Sequence, residues 1–136
     1  MSDLQKHLIS TQQSDLLAKE YDKTNYEAIN ARRPKDKNDA KHFNYDLEVL
    51  QDYINLIRER MEKKGIKNKG IRVTLGKYAD NNSDSRLNPK YQGYQTIFFS
   101  PHDMDSALSE KIALKSADGE EEDLPNLNYG QICPPY

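Results

Sequence analysis

The residues best placed to do chemistry share one parity of a short alternating stretch. From position 71 the chain reads Ile-Arg-Val-Thr-Leu-Gly-Lys-Tyr, and from position 94 Tyr-Gln-Thr-Ile-Phe-Phe-Ser-Pro. In extended backbone, successive side chains point to opposite faces. Arg72, Thr74, Gly76 and Tyr78 therefore share one face, with Tyr94 and Thr96 of the second stretch opposite. An arginine presents a planar fork of donors that suits a carboxylate or phosphate. Hydroxyls beside it would orient a small anion, and Gly76 would let a ligand approach the backbone. Arg72, Thr74, Tyr78, Tyr94 and Thr96 are thus the candidate ligand- or partner-binding residues. A purely structural account fits the same residues: Arg72 paired with an acidic group, the aromatics covered by the C-terminal stretch around Leu127 and Tyr129, and Gly76 marking a bulge.

Other groupings carry weaker signals. His102, Asp103 and Asp105, with His42 or His7, could offer nitrogen and oxygen to a divalent metal, but their spacing matches no metal motif, and Asp103 suits a cap. No metal and no cofactor is expected. The run from Arg58 to Arg72 holds seven basic residues against Glu59 and Glu62; with Tyr91 and Tyr94 nearby it could meet a nucleic-acid backbone. The acidic run at 118–123 could instead fold back against it, and nucleic acid is the minor reading. Cys133 has no neighbouring histidine in sequence, no Gly-x-Ser-x-Gly turn exists, and the glycines form no phosphate-cradling loop. No catalytic residue is assigned, and the balance favours a non-catalytic protein.

Composition sets the frame for these groups. A chain of 136 residues is long enough for one two-layer core, so a single domain over 1–136 is expected. Hydrophobic residues make up 35%, which requires a small core with solvated flanks. A formal charge of −2 points neither to an avid polyanion binder nor to an acidic tail protein. Residues 1–13 lack the basic-then-apolar order of a signal peptide, and no run reaches the roughly 20 apolar residues of a membrane helix. With one cysteine no intrachain disulfide can form, which suits a reducing compartment. The expected location is cytoplasmic, without a membrane partner.

The elements that must position the candidates can be read from periodicity. A first helix is expected over about 11–32, opened by Ser10 and Gln13 at capping-box spacing and closed ahead of Pro34. Leu17, Tyr21 and Ala28 would share its inner face. A charged linker covers 34–39, and a short strand is expected at 41–45. In the second helix, over about 46–64, Leu47, Leu50, Ile54, Ile57 and Met61 recur every three or four residues, and Val49, Tyr53 and Leu56 widen the stripe. Asp46 is its N-cap; Gly65 offers the left-handed C-cap conformation. The hairpin then runs over 71–78 and 94–100, joined by a long, turn-rich loop at 79–93. Ile71, Val73 and Leu75, with Ile97 and Phe99, are assigned to the face beneath the second helix, leaving the polar and aromatic parity outward. Residues 1–9 are expected to fray, 102–117 to form a short helix and 118–123 an acidic loop. The tail at 124–136, with three prolines, should lie extended on an apolar surface.

Five pieces in this order resemble a group of small, uncharacterised bacterial proteins: Tyr-Glu-Ala-Ile-Asn at 26–30, Asp-Ala-Lys-His-Phe at 39–43, Asp-Leu-Glu-Val-Leu-Gln-Asp-Tyr-Ile at 46–54, Gly-Ile-Arg-Val-Thr-Leu-Gly-Lys-Tyr at 70–78 and Tyr-Gln-Thr-Ile-Phe-Phe-Ser-Pro at 94–101. The resemblance covers residues 15–101 and extends to the ending at 130–135. It implies a compact cytosolic α+β domain and carries no activity with it. The expectation is therefore an α+β, two-layer fold: a small, mainly antiparallel sheet on two long helices. Its expected function is that of a protein-interaction or regulatory module whose partner is another protein or a second copy. The alternative is a small-anion or metabolite-binding domain, enzymatic or not, centred on Arg72 and Tyr78.

Overall fold

A computed structural model describes residues 3–105 and 124–135. The helix expected over 102–117 and the acidic loop at 118–123 fall outside the described residues, apart from 102–105. The chain divides into two compact units, Met1–Asp39 and Ala40–Tyr136.

In the first unit, a single 3-10 turn at Leu4–Lys6 precedes α1 (Thr11–Tyr21). The capping box is present: Ser10 Oγ accepts from the Gln13 amide at 3.1 Å, and Gln13 Oε1 accepts from the Ser10 amide at 2.8 Å. The helix does not run uninterrupted to residue 32. A π-helical turn, Asp22–Tyr26, separates α1 from α2 (Glu27–Asn30). One extra residue in the turn rotates the helix beyond it, and such turns are rare enough to mark a local packing demand. Here Tyr26 is the beneficiary: it is buried, donates from its hydroxyl to the Asp39 carbonyl at 2.8 Å and lies against the Tyr21 ring. Leu16 and Leu17 remain exposed, so the face expected to pack is not the one used.

The second unit is built on β1 (His42–Asn44), α3 (Leu47–Lys63), β2 (Lys69–Lys77), β3 (Gln95–Asp103) and β4 (Gln131–Cys133). β2 pairs antiparallel with β3, and β1 with β4, giving two two-stranded sheets. This is an α+β architecture of small antiparallel sheets and a long helix. α3 begins and ends as its sequence dictates. Asp46 Oδ1 accepts from the Glu48 and Val49 amides at 2.9 and 3.1 Å, where a carboxylate also complements the helix dipole. At the other end Gly65 takes φ +76°, the Ile66 amide donates to the Met61 carbonyl and the Gly65 amide to that of Glu62. Those two bonds form a Schellman closure, and the accompanying apolar contact between Ile66 and Met61 sits in the core.

Two cores result. In one, Tyr53, Ile57 and Met61 of α3 gather Ile66, Leu124, Leu127 and Phe99 of β3. In the other, Tyr78, Leu87 and Tyr94 from the hairpin loop and its ends meet Ala40, Phe43 and Ile132. The tail belongs to both. Leu127 exchanges two backbone hydrogen bonds with Phe99 (2.8 and 2.9 Å), adding to the outer edge of β3, and Ile132 is buried opposite Phe43. Gly130 lies beneath Tyr45, where a Cβ would come within 2.6 Å of the ring and 2.8 Å of the Asn44 carbonyl. Only a residue without a side chain fits there.

Where the helix sits corrects the expected coverage of β2. Val73 opposes Phe99, so Ile71, Val73 and Leu75 do share the parity on which α3 packs. They are nevertheless exposed, at 41%, 55% and 76%, as are Leu47 and Val49 on the helix. The reason is where the helix is pinned. The Tyr53 hydroxyl bonds the Phe99 carbonyl (3.2 Å) and that of Pro125 (2.9 Å), which centres α3 over the seam between β3 and the tail and away from β2.

Burial pushes the Tyr53 hydroxyl up to about 12. Its folded pKa exceeds the unfolded value near 10, so the native state holds its proton longer and stability falls as pH rises through about 10 to 12. Tyr53→Phe should cost about 1 kcal/mol in urea unfolding at neutral pH, from the lost hydrogen bonding, and should shrink the alkaline loss of stability over that window.

Candidate functional site: the free edge of the hairpin

Thr96, Tyr78 and Tyr94 are buried, while Arg72 and Thr74 are half-buried. The structure joins Tyr78 and Thr96 but through a residue that the sequence did not flag. Tyr78 donates to Asn128 Oδ1 at 2.9 Å, and Thr96 Oγ1 lies 3.2 Å from the same oxygen and 3.3 Å from the Tyr78 hydroxyl. A buried hydroxyl without a partner would be costly, and the tail supplies that partner. Tyr94 stands beside Tyr78 in the same core. Arg72 already has a partner and is not a free cation.

Next to this network, Asp84, Arg86 and Tyr129 form a surface cluster. The Arg86 guanidinium contacts both Asp84 oxygens (3.2 and 3.0 Å) and lies 4.5 Å over the Tyr129 ring, and Tyr129 donates to Asp84 at 2.6 Å. Hydrogen bonds from Arg86 and then Tyr129 hold the Asp84 carboxyl well below the usual carboxylate range. The same Asp84 bond raises the Tyr129 hydroxyl. Tyr129 adopts φ +60°, which turns its ring onto the face of Tyr78. These groups clamp the tail to the loop. Asn82, Asp84 and Asn88 each accept a backbone amide two residues on, so the loop at 79–93 is built from Asx turns.

The remaining candidates part company. Asp103 accepts from the Asp105 amide (2.9 Å) and Asp105 from the Asn68 side chain (3.2 Å), closing the turn after β3. Among the described residues, no three of His, Cys, Asp or Glu gather as a metal set. In the basic run, Lys69 pairs with Glu62 at 2.5 Å and Lys63 with Glu59 at 3.4 Å.

Among the described residues, two concavities stand out. A cleft of about 410 Å³ is lined by Asn44, Tyr45, Asp46, Asn128, Tyr129 and Gln131, among others. Its size suits a small molecule, but four of its polar side chains are committed: Asp46 to the helix cap, Asn128 to Tyr78, Tyr45 to the Ile97 carbonyl and Tyr129 to Asp84. The other is a groove of about 210 Å³ between α3 and β2, lined by Ile54, Ile57, Arg58, Met61, Lys69, Gly70 and Ile71. It is too small for a typical ligand, and Ile71, which shares the parity of Val73 and Leu75, belongs to its lining.

Beside that groove runs an open strand edge. Phe99 directs its N–H and C=O to Leu127, so the alternate residues Thr96, Phe98 and Ser100 bond to β2 through Gly76, Thr74 and Arg72. Ile71, Val73 and Leu75 must then aim their backbone donors and acceptors away from β3. Among the described residues, no strand pairs with that side. An unpaired edge of this kind is a template for a further strand.

No family model, no curated protein and no solved structure matches the chain. Sequence reasoning found this strand but missed its exposed parity. The available signal was the lysine at each end of β2, a common guard of strand edges.

The corrected coverage of β2 has a stability signature. In protein dilute enough to be monomeric, Leu75→Ser should change unfolding free energy by less than about 0.5 kcal/mol, as for surface sites generally. Ile57→Ala should cost about 2–5 kcal/mol, being a buried truncation. Denaturant titration of the two variants side by side checks the assignment.

Proposed function

We propose that this chain is a non-catalytic protein-interaction module that captures an extended segment by strand addition on the outer edge of β2. The observation that carries the reading is the exposed row Ile71, Val73 and Leu75, whose backbone groups and side chains are both presented outward. An added strand gains ladder hydrogen bonds, and pockets for its alternate side chains give selectivity. Here the groove against α3 would receive an apolar side chain, while Arg58 in its lining favours an acidic neighbour. The free, half-buried Cys133 suits a reducing, cytoplasmic setting. No helix among the described residues is long and apolar enough to cross a membrane.

A synthetic peptide alternating valine and glutamate is a direct probe. It should perturb the amide resonances of Ile71, Val73 and Leu75, and Val73→Lys should weaken it about tenfold or more. Methylating the peptide's alternate backbone nitrogens should abolish binding. Unchanged affinity after N-methylation would rule out strand addition.

A further inference from the structure

The strand that offers the free edge is nearly a palindrome. β2 reads Lys-Gly-Ile-Arg-Val-Thr-Leu-Gly-Lys from 69 to 77, and Val73 is its centre. We infer that the partner for this edge is a second copy of the chain, with β2 pairing antiparallel to its twin about a two-fold axis through Val73. The inference rests on the strand-addition reading and adds the identity of the partner.

An isologous contact requires a surface that complements itself, and this strand meets the requirement position by position. With Val73 opposite Val73 of the second copy, Ile71 falls opposite Leu75, Gly70 opposite Gly76, and Lys69 opposite Lys77. The residues thus paired at 71, 73 and 75 are those whose backbone groups point outward, so each pair can exchange both of its hydrogen bonds. Their side chains stay on one face and form a continuous aliphatic row across the two copies. At the ends, lysine would meet lysine, an arrangement that ordinarily opposes pairing. Lys69, however, is bonded to Glu62 at 2.5 Å and only 20% exposed, so its charge is already compensated.

Register is discriminated as well. A shift of two residues sets Leu75 against Lys69, an apolar group against a cation. A shift of one places each strand's aliphatic parity on the wrong face. The dimer would also turn an isolated hairpin, with one aliphatic row open to water, into a four-stranded sheet ordered β3-β2-β2-β3. Four strands lie in the usual size range, whereas a lone pair of strands is marginal. The two α3 helices would stand on the same face, one on either side of the joined aliphatic row.

The test uses the full chain. Sedimentation over a concentration series should show a species of twice the 15.7 kDa chain mass, and Val73→Lys should weaken the association about tenfold or more, because like charges would meet at the axis. In a Cys133→Ser background, Val73→Cys should form an intermolecular disulfide on mild oxidation, since directly opposed residues of a hydrogen-bonded pair lie about 5.5 Å apart, within disulfide reach. Ile71→Cys and Leu75→Cys, each opposite a different residue, should not. A chain that stays monomeric and a Val73→Cys variant that does not cross-link would overturn the inference. So would cross-linking at all three positions alike. Peptide capture by a monomeric chain would leave strand addition standing with a different partner, whereas loss of both dimer and peptide binding would remove both.

Discussion

Two backbone hydrogen bonds, between Phe99 and Leu127, set the layout of the larger unit. They give the outer side of β3 to the tail and so leave β2 as an edge. They also create the seam on which α3 settles, because the Tyr53 hydroxyl needs carbonyl oxygen and finds it at Phe99 and Pro125. A helix fixed at that seam cannot also cover β2. The exposed aliphatic row is therefore a geometric consequence of where the tail pairs.

The tail is held along its length by different means. Leu124 enters the helix core, Leu127 joins the strand, Asn128 satisfies two buried hydroxyls, Tyr129 stacks on Tyr78 beneath Arg86, and Ile132 pairs opposite Phe43. Burying Tyr78 and Thr96 would leave polar groups stranded without Asn128. The polar face that looked like a ligand site is thereby converted into an internal joint. Its hydroxyls serve to fix the tail's path, and the exposed side chains of β2 lie on the opposite parity.

That arrangement accounts for how the chemistry is distributed. Charged clusters such as Asp84–Arg86–Tyr129 and Lys69–Glu62 brace loops and helix ends. Within the larger unit, exposed aliphatic groups include Ile71, Val73 and Leu75 on β2 and Leu47 and Val49 on α3. Exposed aliphatic groups on a strand with open backbone valences are a hazard unless they are used or guarded. In the proposed dimer, Lys77 would oppose indiscriminate pairing, and the near-palindromic interior would select one register.

Local signals in the chain were enough to determine its local structure. The capping box at Ser10, the Asp46 cap, the Gly65 closure, the extent of α3, both strands of the hairpin and the short strand near 42 were legible, because each depends on residues a few positions apart. The π turn at 22–26 was not, since it answers to the bond from Tyr26 to a distant carbonyl. Alternation correctly separated the two parities of β2. Which parity would be covered depended on contacts from residues 125–128, fifty positions away. Periodicity records that a strand has two faces; the element that lands on each is decided by long-range pairing and by where buried hydroxyls find acceptors. The sequence thus determined the elements and their ends, and the tertiary structure decided that Tyr78 and Thr96 belong inside and Val73 and Leu75 outside.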